Sequence, residues 1–263
     1  MIRIQLYIFL FFFTSTNAQV LNIDRNIATD SIIKKWVGFT TLNFSSDKIK
    51  KDYLDGSVKT EIVRTFSNDY LFVGMFNYDF SVNGSTILQN DGFLQLRYRD
   101  NDKHEWSNES YLQYQWNGPL GMIYRNVVGS NLRKRFFEKK RVDLYSGLGV
   151  FYEGEKWNWN GVENEDEIAL KPIRDRRIFR LNHYWKMAYK VNDQLDLSAI
   201  SYFQFPINSE FQNLRWFFDL NAFIKISKKL NFVVHWDHTY DGYRLVPISY
   251  FYYSLNFGIQ FNW

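Results

Sequence analysis

The sequence predicts an all-β protein: a transmembrane antiparallel up-and-down β-barrel of about twelve strands that follows a cleaved N-terminal signal peptide. Three observations carry this expectation. Apolar residues recur with a period of two, not 3.6, over most of the chain. The segments that show this often run to about 11 residues or more, whereas strands of soluble proteins average about 5–6 residues and a tilted membrane-spanning strand needs about 9–11. The connections alternate between tight turns and longer loops, as in outer-membrane barrels.

The first element is a targeting segment. Arg3 is a short basic start, Leu6 to Phe13 is an apolar run, and Thr16 and Ala18 are small residues ahead of a cut between Ala18 and Gln19. Residues 1–18 are therefore expected to be removed, leaving 19–263 as the barrel. The apolar run is too short to span a bilayer as a helix, which takes about 20 residues.

Strands are expected at 35–45, 52–66, 69–80, 90–100, 104–117, 119–133, 141–154, 175–190, 194–206, 213–227, 229–240 and 251–263. In the fourth, Leu94, Leu96 and Tyr98 oppose Gln95, Arg97 and Arg99. In the seventh, Val142, Leu144, Leu148, Val150 and Tyr152 oppose Asp143, Tyr145, Gly147, Gly149 and Glu153. The eighth sets Phe179, Leu181, Trp185, Met187 and Tyr189 against Arg180, Asn182, Tyr184 and Lys186. The tenth sets Trp216, Phe218, Leu220, Ala222, Ile224 and Ile226 against Arg215, Asp219, Asn221 and Lys225, with Phe217 and Phe223 interrupting the polar side. In the eleventh, Leu230, Phe232, Val234, Trp236 and Tyr240 oppose Asn231, His235, Asp237 and Thr239.

Tight turns are expected at 67–69, 101–104, 137–140, 191–194 and 227–229, and longer loops at 46–51, 81–89, 155–174, 207–212 and 241–250; only 117–120 breaks the alternation. An even strand number puts both termini on the short-turn, periplasmic side. Trp36, Trp106, Trp116, Tyr152, Trp157, Tyr189, Trp216, Tyr240 and Tyr253 fall near strand ends, where interfacial aromatic girdles belong.

Composition fits this design. The chain is 20% aromatic, yet its mean hydropathy is −0.38, because only one face of each strand would meet lipid. The absence of cysteine excludes a disulfide framework and thiolate metal sites. A net charge of +4 with scattered basic residues gives no argument for nucleic acid. No cofactor is expected.

The last strand holds Tyr253, Leu255, Phe257, Ile259, Phe261 and Trp263 on one face, up to the final residue. Such a strand has to pair with the first to close the cylinder, since hydrocarbon leaves no backbone group a partner outside the sheet. It also resembles the signal read by the outer-membrane barrel assembly machinery, with Trp in place of the usual terminal Phe.

From about Leu120 onward the chain resembles the "domain of unknown function 481" family, which includes salt-induced outer-membrane proteins. The stretches that carry the resemblance are Arg125–Arg133, Leu144–Trp157, Arg180–Trp185, Tyr202–Trp216 and Asp237–Pro247. Within the fourth, Tyr202, Gln204 and Pro206 match a Tyr-Gln-Pro element, with Phe205 intervening; Pro247 stands farther from Asp241 than the family pattern places proline. The resemblance implies a barrel of the Gram-negative outer membrane and no established reaction.

Three functions find candidate residues in the chain. A channel would be lined by Arg97, Arg99, Arg125, Arg133, Arg180, Lys186, Arg215 and Lys225 against Glu61, Glu109, Asp143, Asp196, Asp219 and Asp237. Charges of both signs cross-link, so the expectation is a narrow or blocked, porin-like lumen. An enzyme resembling an outer-membrane phospholipase would need a histidine beside a nucleophile. Of His104, His183, His235 and His238, only His235 shares a lumenal face with an acid, Asp237, at about 6–7 Å along the strand. A cation site could use Glu153, Glu155, Glu163, Glu165, Asp166 and Glu167, but Lys171, Arg174, Arg176 and Arg177 follow and make a self-neutralising outer loop, or a lipopolysaccharide contact, the stronger reading. The expectation is a non-enzymatic outer-membrane barrel, structural or narrow-pored and associated with envelope stress, whose partners are lipid, lipopolysaccharide and the assembly machinery. A phospholipase-like enzyme and a secreted soluble β-protein are the alternatives.

Overall fold

The computed structural model describes residues 36–48, 51–66, 70–100, 105–158, 173–207, 213–246 and 249–263. The expected signal peptide, His104 and most of the acidic 155–174 segment lie outside the described residues.

Twelve strands form one closed antiparallel barrel in which each pairs with its chain neighbours and β12 returns to β1. They are β1 (Trp36–Lys48), β2 (Asp52–Thr65), β3 (Tyr70–Asn83), β4 (Thr86–Asp100), β5 (Trp106–Asn117), β6 (Met122–Lys139), β7 (Val142–Asn158), β8 (Ile173–Lys190), β9 (Leu195–Pro206), β10 (Arg215–Lys225), β11 (Leu230–Asp241) and β12 (Phe251–Asn262). The alternation sets the pleat directly. In β10, Arg215, Phe217, Asp219, Asn221 and Phe223 are buried inside, while the residues between them face out.

The outer wall is apolar. Leu96, Leu112, Leu148, Phe179 and Phe257 are each more than half exposed. Each such side chain left in water would cost about 1.5–3 kcal/mol relative to burial, so a surface of this kind is built for hydrocarbon and not for a secreted soluble protein. Aromatic rings cluster toward the strand ends: Phe72 meets Tyr98 at 5.4 Å near one end, and Tyr78 meets Trp116 at 6.3 Å near the other. Of the expected girdle residues, Trp157 departs. It has the inward parity of β7 and is buried with Leu120, Met122 and Val246.

Strand lengths revise the expected connections. β6, β7 and β8 hold 18, 17 and 18 residues, because the period of two continues through polar sequence that reads as loop. The expected long loop at 81–89 is a two-residue hairpin at Gly84–Ser85. Gly84 adopts φ +62°, the left-handed region a tight hairpin demands, and its N–H reaches the Asp52 carbonyl at 2.8 Å. The turn expected at 137–140 is likewise narrower, at Lys140–Arg141. The size contrast between the two ends is therefore weaker than the sequence suggests.

Closure occurs over the part of the seam near the termini. Phe39 to Leu42 pair with Asn262 to Ile259, whereas β1 pairs with β2 from Trp36 to Lys48. Trp263 extends the seam through two backbone bonds with Gly38, 3.0 and 3.1 Å long. Its indole Nε1 donates to Thr40 Oγ1 at 3.2 Å. A Cβ on Gly38 would lie 2.3 Å from the Trp263 ring, so glycine is what lets the terminal indole seat. Beyond Leu42 the sequence turns to Ser45, Ser46, Asp47 and Lys48, which are exposed and polar, and the ladder with β12 ends.

Candidate functional site: an ion-paired lumen

Inward-facing positions of β6–β11 bring four arginines and three carboxylates together. Glu153 on β7 is the hub. Arg125 on β6 donates to it through Nε and Nη2 at 2.9 and 2.7 Å, Arg180 on β8 through Nε at 2.5 Å, and Arg215 on β10 through Nη1 at 3.2 Å. Glu155, two residues on and therefore on the same face, accepts from Arg176 Nη2 at 2.7 Å and from Arg215 Nη2 at 3.1 Å. Arg215 also donates twice to Asp241 on β11, at 3.0 and 2.8 Å. Arg125, Arg180 and Glu153 are at most 1% exposed.

The network continues through neutral amides. Arg125 reaches Gln115 at 3.4 Å, Gln115 accepts from Gln113 at 3.1 Å, and Gln113 accepts from Gln95 at 2.8 Å. Gln95 in turn accepts from Arg97 at 2.9 Å. Below this lies an aromatic layer. Tyr111, Phe151, Tyr184, Tyr202 and Phe217 pack as one buried cluster, and Tyr184 on β8 reaches Glu109 on β5 through a 2.6 Å hydrogen bond. Arg215 to Glu153 and Tyr184 to Glu109 each cross three strands of circumference, so these side chains fill the interior instead of lining it.

One mouth is covered as well. Val246, in the β11–β12 connection, packs on Leu120, Met122 and Trp157 of the β5–β6 and β7 region. The β5–β6 and β11–β12 hairpins are half a turn of the barrel apart, so this contact spans the opening. Arg176 Nη1 fastens the same segment by donating to the Tyr243 carbonyl at 2.6 Å.

The sequence-predicted lumen residues divide as follows. Arg125, Arg180, Lys186, Arg215, Asp219, His235 and Asp237 are all buried inside. Lys225 has the inward parity but stands at the rim, partly exposed, with Nζ 2.8 Å from Asp196. Glu153, Glu155, Arg176 and Asp241 belong to the interior as well; sequence reading places Glu153 and Arg176 in strands, Glu153 on the polar face, but puts Glu155 and Asp241 in loops. The signal was the unbroken alternation Phe151, Glu153, Glu155, Trp157, masked by the acidic run that follows it. With their oxygens taken by arginines, Glu153 and Glu155 are not ligands for a cation. Arg174 shares the inward parity of Arg176, and only Arg177 of the three faces outward.

His235 is held more closely than its spacing suggested. Nε2 lies 2.7 Å from Asp219 Oδ2 on the adjacent strand and 3.9 Å from Asp237 Oδ1, and Nδ1 lies 3.3 Å from Lys59 Nζ. Both ring nitrogens are thus occupied by ionisable groups, and among the described residues neither is hydrogen-bonded to a hydroxyl. His183 faces outward, with Nε2 3.4 Å from Ser146 Oγ, but among the described residues nothing orients its other nitrogen. His238 sits against aromatic rings, 4.4 Å from Phe251.

The terminal-strand residues Tyr253, Leu255, Phe257, Ile259, Phe261 and Trp263 all lie on the outer wall, each between about 40% and 60% exposed.

The chain is similar to several solved barrels. The NanC porin is 12% identical, with a TM-score of 0.46 over 86% of this chain and 98% of that one. The translocator domain of autotransporter NalP from Neisseria meningitidis is 11% identical, with a TM-score of 0.41 over 86% and 87%. The β domain of the Bordetella autotransporter BrkA is 8% identical, with a TM-score of 0.39 over 87% and 97%. No protein-family model matches the chain, and no curated protein does.

Proposed function

We propose that this chain is an outer-membrane barrel of a Gram-negative bacterium, with both termini periplasmic, whose role is structural or envelope-associated and neither enzymatic nor that of an open porin. The observation that carries this reading is the filled lumen. Buried guanidinium–carboxylate pairs stand above an aromatic layer, and Arg97, Arg125, Arg180, Gln95, Gln115 and Gln204 are fully enclosed. Side chains fill barrels of about eight strands, and 16–18 strands leave a water channel; this twelve-stranded interior is packed as the smaller ones are. The resemblance to the domain of unknown function 481 family belongs to the same proposal, as does recognition of the β12 alternation by the assembly machinery.

Because the chain has no cysteine, Gln204→Cys supplies a unique probe. In folded barrel in vesicles it should resist a membrane-impermeant maleimide for hours, and react once the barrel is heated open. Rapid labelling of the folded form would show a wet lumen and overturn the reading. The enzymatic alternative makes the opposite demand elsewhere: phospholipid hydrolysis by the wild type that His235→Ala or His183→Ala abolishes. The expectation is no hydrolysis in any of the three.

A further inference from the structure

The outer wall carries a polar interruption that the filled lumen does not explain. One register row runs across five strands: Leu94 on β4 faces Tyr114 on β5, then Asn126 on β6, Gly154 on β7 and Arg177 on β8. The next row toward the barrel middle is wholly apolar or aromatic: Leu96, Leu112, Val128 and Tyr152. Gly154 sits among these side chains with no atom within 4 Å of where its Cβ would be. The result is a hollow of about 590 Å³ in the lipid-facing wall, with Tyr124 and Arg177 at its margin. That volume lies in the range of small-ligand sites, which join an apolar lining to a few placed polar groups.

Two cations border it. Arg177 is the residue opposite Gly154, and Lys156 shares the outward face of β7 with Gly154, about 7 Å farther along the strand. Neither forms an ion pair or hydrogen bond among the described residues. Asp175 is opposite Lys156 in the register and makes no ion pair with it. Trp116 and Tyr114 stand on β5, two strands from β7, 5.9 Å apart between rings, which is the aromatic content of a headgroup boundary. A guanidinium and an ammonium with no carboxylate partner among the described residues call for an anion, and the apolar row below Arg177 calls for hydrocarbon.

We propose that this hollow binds one anionic, phosphate-bearing lipid of the outer leaflet, its phosphate held by Arg177 and Lys156 and one acyl chain laid over Gly154 along Leu96, Leu112 and Val128. The proposal rests on the outer-membrane placement above. Phosphate suits Arg177, whose fork can engage two oxygens at once.

The test is native mass spectrometry of the purified, detergent-solubilised full chain incubated with lipid A and, separately, with phosphatidylcholine. Wild-type protein should retain one lipid A in preference to phosphatidylcholine. Arg177→Gln and Lys156→Gln should each lower retention roughly fivefold, the weight of one interfacial cation. Gly154→Leu, which fills the hollow and leaves both cations in place, should also lower it. Heat-modifiable gel migration of the same samples reports the barrel separately. An intact barrel with equal retention of both lipids, or with retention unmoved by the three variants, overturns the lipid site and leaves the membrane reading standing. Samples without heat-modifiable migration would overturn the membrane reading on which the site depends.

Discussion

Glu153 shows how much one residue can hold when it is buried among opposite charges. Moving a carboxylate out of water costs several kcal/mol even after relaxation, and good geometry with multiple hydrogen bonds is what offsets it. Glu153 has that geometry, with three guanidinium groups within 3.2 Å. Glu153→Ala therefore removes the partner and leaves Arg125, Arg180 and Arg215 facing one another. The expected loss is about 3–5 kcal/mol, read as a lower urea midpoint for the barrel refolded in vesicles. Tyr184→Phe is milder. It deletes one charge-assisted bond to Glu109 and keeps the ring in the aromatic layer, so a loss of about 1.5–3 kcal/mol is expected in the same titration. A Glu153→Ala barrel as stable as the wild type would mean the network is spectator packing. These residues also mark the limit of sequence reading. Arg125, Arg180 and Arg215 were legible as lumenal from parity, even where Phe217 and Phe223 interrupt the polar face of β10. Glu153 shared that parity, though its place as the hub was not legible; Glu155 fell past the expected strand end, where acidic side chains ordinarily signal solvent, and only partners distant in sequence make it affordable inside.

At the scale of elements, the strands themselves were the most legible feature, and their ends were the least. Period two fixes which face is which, but it does not say where a polar strand stops being a strand; β6, β7 and β8 run on through charged residues because neighbours of equal length pair with them. The expected loop at 81–89 failed for a related reason. Gly84 and Ser85 make a sufficient hairpin, and the residues around them keep pairing. The seam is the weak element. β1 and β12 share a ladder only from Phe39 to Leu42, supplemented by Gly38 and Trp263. Amides of β12 on the seam side are expected to exchange with deuterium faster than those of β7, whose two edges are paired along its length. Gly38→Leu must expel the Trp263 indole, so it should lower the fraction of heat-resistant folded barrel, as should deletion of Trp263. Gly74→Ala is the matched control, because its Cβ would meet Leu96 at an ordinary 3.9 Å. If Gly38→Leu folds as well as Gly74→Ala, the terminal indole does not close the barrel.

For the whole molecule, two demands meet in one architecture. A sheet can enter hydrocarbon only if it shuts on itself, and a twelve-stranded cylinder is then wide enough to leak unless something occupies it. Here the sequence answers the first demand with outward Leu, Phe and Ile, and the second with inward Arg, Glu, Gln and Tyr. The mixture lowers the mean hydropathy while the lipid-facing wall remains apolar. Fold class and membrane character followed from that alternation, whereas the cover formed by Val246 over Leu120 and Met122 could not be foreseen, since nothing in the sequence says that two hairpins half a barrel apart will touch.

Single-channel recording across a planar bilayer tests the filled lumen most directly. With the same preparation shown to be folded by heat-modifiable migration, the account predicts a bilayer that stays at its baseline conductance through prolonged recording at moderate voltage. Reproducible, long-lived conductance steps of porin size from wild-type protein would contradict it.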